Sequence, residues 1–216
     1  MMPHYMSMIS ANTKGWREFI RSREPGIYGI HKNMWKFFPG PIDSRKFLFH
    51  IMYSEKSILC LSEIRPVSPN DNWTIDVKEY EPSVNVGDYF KFRTRVNPTI
   101  TRNINGKHKR HDVVMDAKLN SIDQSSMIEL IEISVGDWIK ERGVKNGFAV
   151  HGDSLCIHSY ERHESSKSPN EPIVFSTVDI EGYLEVTNVE KFMNVIHHGL
   201  GPCKSFGCGL IVIKRV

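Results

Sequence analysis

The sequence predicts an α+β protein made of two halves with the same plan, each an antiparallel sheet backed by helices. Three observations point there. The first half reads strand, helix, strand, strand, strand; the second reads strand, helix, strands, helix, strand; and 216 residues with 40% hydrophobic content suffice for two cores of about 100 residues each. The order in the first half suits a ferredoxin-like (RRM-like) unit whose second helix is short or lost, and the second half repeats that plan without visible sequence repetition. Two tandem ferredoxin-like domains, 1–87 and 88–216, are therefore expected, with Pro82 to Asp88 as the approach to the boundary.

In chain order, His4 to Ser10 reads as a first strand and Asn12 to Arg23 as a helix around Trp16, Phe19 and Ile20. Pro25 and Gly26 punctuate. Ile27, Ile30 and Met34 then recur at helical spacing up to Phe38, where Pro39-Gly-Pro41 stops the helix. On a neighbouring stripe Tyr28, His31 and Trp35 fall at i, i+3 and i+7, so a phenol and an imidazole share one face. Spacing alone leaves open whether His31 packs or catalyses. Arg45 to Met52 and Ser57 to Ile64 read as a hairpin, and Asn72 to Tyr80 as a returning strand.

Tyr89 to Thr101 reads as one long strand whose alternation places its bases on one face. The turn from Asn103 to Arg110 then enters an apolar run, Val113 to Met115. Arg93, Arg95, Arg102, Lys107, Lys109 and Arg110 cluster although the formal net charge is only +3, and clustered bases point to a polyanion more than net charge does. A basic hairpin of this kind can lie along an RNA groove; a merely solvated turn is the other reading.

Ser126 and Glu129 form a capping box before the stripe Ile128, Ile131, Val135, Trp138 and Ile139, with an end near Gly143. Phe148 to Val150, Leu155 to Tyr160 and Ile173 to Val186 read as strands, and Arg162 to Pro172 as a polar loop holding Lys167. Thr187 and Glu190 suggest another capping box for a helix ended by Gly199. The segment from Gly199 to Gly209 contains four of the fifteen glycines, with Lys204 and Ser205 between them, and Leu210 to Ile213 reads as a last strand. Helix, loop, strand is the reverse of the order in phosphate loops of nucleotide-binding folds. Glycines that only turn the chain, or a loop whose cation and hydroxyl meet a phosphate backbone, both fit.

Cys60, Cys156, Cys203 and Cys208 never fall as C-x-x-C, so spacing supports neither a zinc ribbon nor a redox dithiol. No apolar run reaches about 18 residues and the first ten lack the pattern of a signal peptide. A cytoplasmic protein without a membrane segment, metal or cofactor is the expectation.

Taken together, Tyr28 to Pro39, Arg45 to Phe49, Phe92 to Pro98, Gly106 to Arg110, Trp138 with Gly147 and Phe148, Gly182 to Val186, and Gly199 to Leu210 resemble the CRISPR repeat-processing endoribonucleases of the CasE type, found in type I-E Cascade. The resemblance spans nearly the whole chain. It implies tandem ferredoxin-like domains that bind the stem-loop of a repeat RNA, cut at its 3′ base without metal, and retain the mature guide RNA beside other Cascade subunits. The family's motif histidine matches His31, its motif tyrosine Tyr28, and its glycine-rich loop Gly199 to Gly209. Lys167 matches a loop lysine of the family that would stabilise charge, while Lys36, Ser44 and Arg45 near the end of the His31 helix are candidates for phosphate contact, with ordinary surface residues as the alternative for Lys36 and Ser44. The chemistry is sound, since RNA is cut by its own 2′-OH when one group removes that proton and another protonates the leaving 5′ oxygen, and histidine can do either. A subunit that holds guide RNA without cutting needs the same basic face and remains the second reading.

Overall fold

A computed structural model describes residues 3–21, 27–40, 44–120, 126–168 and 171–216. The first sheet begins with β1 (Tyr5–Ala11). Asn12 then caps α1 (Thr13–Ile20), its side chain accepting from the Gly15 N–H. The second helix, α2 (Ile27–Met34), ends in a 3₁₀ turn at Trp35–Phe37 instead of running as α-helix to Phe38. Strands β2 (Phe47–Met52), β3 (Ser57–Ser62) and β4 (Trp73–Glu79) complete an antiparallel sheet of order β2-β3-β1-β4. That is the ferredoxin-like order, and the connection between β3 and β4 contains no helix, as the sequence predicts. Pro25, Gly26 and Pro41, read as punctuation, lie outside the described residues.

The second sheet starts at β5 (Tyr89–Val96). The single long strand expected to Thr101 is broken at Asn97-Pro98, because proline has no N–H to continue a ladder. Beyond the break, β6 (Thr99–Ile104) and β7 (Lys107–Asp112) form a separate two-stranded sheet. The apolar run Val113 to Met115 belongs to a helix, α3 (Val113–Asn120), that the sequence reading missed: Asp112 Oδ1 accepts from the Val114 and Met115 N–H groups at 2.9 and 3.0 Å and starts it. Helix α4 (Met127–Lys145) opens on the expected capping box, Ser126 with Glu129, but Ile128 is 69% exposed and stands outside the buried stripe.

Strand β8 (Phe148–Val150) follows, then β9 (Cys156–Ser168) and β10 (Glu171–Val186). Arg162 to Ser168 and Glu171 to Pro172, read as loop, are therefore strand; they belong to the distal part of a hairpin in which β9 pairs only with β10, off the main path of the sheet. The distal part of β9 is wholly polar from Arg162 to Ser168, so no apolar alternation announces the strand. Helix α5 (Val189–His198) is capped by Asn188, whose side chain accepts from the Lys191 N–H at 3.0 Å, one residue beyond the predicted Thr187. Strand β11 (Ile211–Arg215) closes the sheet order β11-β5-β10-β8, again ferredoxin-like.

The two sheets share an interface. Phe49, Ile58 and Cys60 join Trp16, Phe19, Met34 and Trp73 beneath α1 and α2. On the opposite face Leu48 and Leu61, paired in register, enter the larger core with Phe92, Trp138, Leu200 and Leu210. Burying each such leucine stabilises by about 1.5–3 kcal/mol, so the first sheet is covered on both sides. No helix among the described residues is long and apolar enough to cross a membrane.

Candidate active site and nucleic-acid interface

Helix α2 is amphipathic in a way that presents Tyr28 and His31. Gly29, Ile30, Asn33 and Met34 are buried, and Asn33 Nδ2 donates to the Phe19 carbonyl at 2.7 Å, tying α2 to α1. Tyr28 and His31 stand half-buried on the remaining face, ring centroids 6.4 Å apart, with the Lys32 ammonium 5.1 Å from the Tyr28 ring centroid. Trp35 Nε1 donates to His31 Nε2 at 3.3 Å, a long bond, which assigns the imidazole lone pair to Nε2 and the proton to Nδ1.

The opposite wall is the glycine-rich loop. Phe206 meets His31 edge-on at 6.0 Å and stacks on Phe175 at 5.2 Å. The His31 Nδ1 is sealed from solvent and makes no well-aligned hydrogen bond among the described residues, although the Ser205 backbone is close enough to favour the charged imidazole. Burial outweighs that contribution, and the positive charge of Arg45 acts with burial, so His31 is held below its ordinary value and is neutral at neutral pH.

The loop keeps its place through close packing. Cβ atoms added at Gly199 and Gly209 would lie 2.8 Å from a Leu48 methyl and 2.7 Å from the Leu200 carbonyl oxygen, and both glycines have positive φ, +80° and +90°. Leu200 N–H donates to the Gly209 carbonyl and Gly209 N–H to the Arg95 carbonyl, which clasps the loop's two ends against β5. These glycines thus shape a wall of the site.

Arg45 lies close enough to His31 for its charge to act there, and Lys204 in turn lies within electrostatic reach of Arg45. Arg45 is half-buried and donates through Nη1 to the Phe47 carbonyl at 2.8 Å; Lys204 Nζ donates to the His198 carbonyl at 2.7 Å. Burial lowers the pKa of both, and Arg45 lowers that of Lys204 further. Neither has an ion-paired carboxylate among the described residues. Two cations near each other in a partly dry place favour an anion between them. They line a recess of about 210 Å³ with Lys46, His197 and His198.

The other residues singled out in the sequence are distributed as follows. Lys36 lines a different recess with Glu18, Asn33 and Phe37, and Ser44 is exposed just ahead of Arg45. Lys167 lies in β9, and its side chain is outside those described. Arg93 is exposed on β5 with its Nε 3.4 Å from Glu181, while Arg95 is locked bidentately on Asp179 at 2.8 and 2.7 Å. Arg102 is similarly held by Asp116. Lys107, Lys109 and Arg110 are exposed on β7, where alternation sends both lysines to one face and Arg110 to the other, and Arg110 acts electrostatically on Cys203 of the glycine-rich loop. The sequence reading missed the Arg95–Asp179 pair and the residue facing it, His50. No local pattern announces a pair 84 positions apart. Among the described residues no three His, Cys, Asp or Glu side chains come together to hold a metal ion.

Burial, reinforced by Arg95, pushes His50 down to about 4. Below its unfolded value near 6.5 the unfolded chain binds the proton first, so stability falls as pH drops from about 6.5 towards 4. Thermal unfolding followed across that window should show the loss, and His50→Gln should flatten it. A profile identical in the two proteins would remove His50 from the explanation.

Residues 4–215 match the family described as CRISPR associated protein. The chain is 30% identical over 190 residues to the CRISPR system Cascade subunit CasE of Escherichia coli strain K-12, covering 86% of this chain and 90% of that one. Among solved structures, the CRISPR-associated protein Cas6e from the same strain aligns over 98% of this chain and 100% of its own, with 25% identity and a TM-score of 0.64. Thermus thermophilus Cse3, bound to an RNA representing a pre-cleavage complex, aligns over 99% and 100% with 17% identity and a TM-score of 0.72, a likeness of fold. The tandem ferredoxin-like chain with its half-buried histidine facing a glycine-rich loop therefore belongs to the CRISPR-associated protein family that includes CasE.

Proposed function

We propose that the protein is a metal-independent endoribonuclease that binds the stem-loop of CRISPR repeat RNA and cleaves at its 3′ base. The 2′-OH of the nucleotide before the cut attacks the adjacent phosphorus, and the bond to the 5′ oxygen breaks, leaving a 2′,3′-cyclic phosphate and a 5′-OH. The observation that carries this reading is His31: a neutral imidazole, its lone pair on Nε2, within reach of the positive charge of the half-buried Arg45. A neutral imidazole can take the 2′-OH proton once the hydroxyl displaces the long Trp35 bond, and the departing 5′ oxygen takes its proton from Tyr28 or from water. Arg45 and Lys204 are placed to hold the phosphate as charge develops on it, and Tyr28 positions the nucleotide or assists proton transfer. Lys167 is a further candidate for stabilising the developing charge, and Lys36 and Ser44 are candidates for phosphate contact.

The test is a repeat RNA with 2′-deoxyribose at the cut nucleotide. It should bind as tightly as the all-ribose RNA and remain intact, because the nucleophile is gone. Cutting of the deoxy RNA at that bond would overturn the 2′-OH mechanism.

Stem binding falls to the β6–β7 hairpin, which carries the pair-held Arg102, together with Arg93, Ser205 and the pair-held Arg95. Lys107, Lys109 and Arg110 are exposed and suit phosphate contacts, which release counterions on binding. Affinity should therefore drop steeply with salt, and each neutralised base should reduce the log–log slope by about one. Titrations of Lys107→Ala, Lys109→Ala and Arg110→Ala at several salt concentrations check this; unchanged slopes would move the stem elsewhere.

The same hairpin would serve a subunit that only holds the mature guide RNA, and the His31 environment favours the cutting subunit. In either case the mature guide and other Cascade subunits are the partners, and the cytoplasm is the compartment. We place the division between domains at 1–87 and 88–216, supported by the gap between β4, ending at Glu79, and β5, starting at Tyr89.

A further inference from the structure

A second cleft, of about 350 Å³, opens beside Phe206, where α2 faces β9 and the glycine-rich loop. Its walls include Ile30, Tyr53 and Phe206, and its polar rim is Glu161, His163 and Arg95. A volume of this size, apolar faces and a few polar groups suit a small flat ligand. Phe206 also touches His31, so whatever occupies the cleft sits one ring away from the proposed cutting site.

The rim decides which part of a nucleotide enters. Arg95 Nε and Nη2 are committed to Asp179, and His163 Nε2 bonds Thr177 Oγ1 at 2.8 Å. Glu161 keeps spare acceptor capacity: its side chain is 57% exposed, and His163 Nε2, 3.9 Å away, is too far to occupy it with a hydrogen bond. Burial holds His163 below its ordinary value, so at neutral pH it leaves the Glu161 charge in place. A carboxylate repels a phosphate but accepts from an amine. The cationic recess suits the backbone, and this cleft suits a base.

We infer that the cleft between α2 and β9 receives one unpaired nucleobase flanking the scissile phosphate, stacked against Tyr53 or Phe206 and read by Glu161 through an exocyclic amine. Adenine, cytosine and guanine carry such an amine; uracil has none and offers a carboxylate only its N3–H, flanked by two carbonyl oxygens that repel it, so it binds Glu161 less well. This rests on the ribonuclease reading for its ligand, and its test is affinity, which does not require cutting.

The experiment uses full-length protein and a set of synthetic repeat RNAs in which each unpaired nucleotide flanking the stem is replaced in turn by an abasic site, by cytidine or by uridine. At one position the abasic RNA should bind the wild type about 5- to 150-fold more weakly, the range for stacking one base on an aromatic ring. At that position uridine should bind more weakly than cytidine. Tyr53 is 54% exposed, so Tyr53→Ala leaves the core intact and should shrink the abasic effect. Glu161→Gln, whose amide can donate to uracil, should erase the preference against uridine. Affinity indifferent to every abasic site would overturn the inference, as would a uridine penalty retained in Glu161→Gln. If the wild type binds but cuts none of these RNAs, the ribonuclease reading falls, and the abasic series still decides the cleft.

Discussion

His31→Ala is expected to cut repeat RNA about 10²–10⁴-fold more slowly than the wild type, the usual range for one acid–base group, with repeat-RNA affinity essentially unchanged. The asymmetry follows from electrostatics. A histidine held below its ordinary pKa brings no positive charge to the phosphates, so its loss removes proton transfer and leaves the cationic contacts of Arg45, Lys204 and the hairpin. Single-turnover cleavage and filter binding on the same preparations read the two quantities separately. The pH profile assigns the role: as a base, wild-type His31 gives a rate that rises with pH through a midpoint below 6.5 and then levels. A rate that falls through the same region would make it the acid. Equal losses of rate and affinity in the variant would make His31 a packing residue.

Gly209→Ala carries the second large effect, on stability and cleavage together. Its φ of +90° is strained for any L side chain, at about 1–3 kcal/mol, and the new Cβ would also press on the Leu200 carbonyl at 2.7 Å. In a chain of this size each kcal/mol lowers the melting temperature by about 2–4 °C. Because Gly209 clasps the loop through Leu200 and Arg95, relief of the clash shifts Ser205 and Phe206 away from His31, and cleavage should fall more than binding. Gly106→Ala is the comparison: it shares positive φ, +77°, but its Cβ meets nothing within 4 Å, so only the backbone strain applies. Equal melting losses in the two variants would show that the clash at Gly209 is absorbed without moving the loop.

What could be read from the sequence was local. The Tyr28 and His31 pair, the Ser126 capping box, the stop at Gly199 and the alternation of β5 each depend on residues within one or two turns, and each lies where that spacing puts it. Asn97-Pro98 was legible in principle, since the proline was visible and the strand was nevertheless carried through it. Asp112 as a cap for α3 was legible as well, but an apolar triplet after a hairpin resembles a strand as much as a helix start. The β9–β10 hairpin was not legible, because β9 is wholly polar from Arg162 to Ser168 and carries no apolar alternation there.

The candidate site divides in the same way. Its helix face was visible, whereas its opposite wall, made by Ser205 and Phe206 more than 170 positions later, was known only as a glycine-rich loop whose destination was open. Arg95 counted as one more base in a run, yet it is spent on Asp179 beneath the interface. Lys36, close to His31 in sequence, lines another recess because five residues along a helix carry it about 140° round from His31.

The measurement that bears most directly on the central claim is incubation of purified protein with end-labelled repeat RNA in excess EDTA, followed by identification of the new RNA ends. A cut at the 3′ base of the stem that leaves a 2′,3′-cyclic phosphate and a 5′-OH is the predicted result. RNA that stays whole until a divalent ion is supplied, or a product ending in 3′-OH, would contradict catalysis by His31 and the RNA's own hydroxyl.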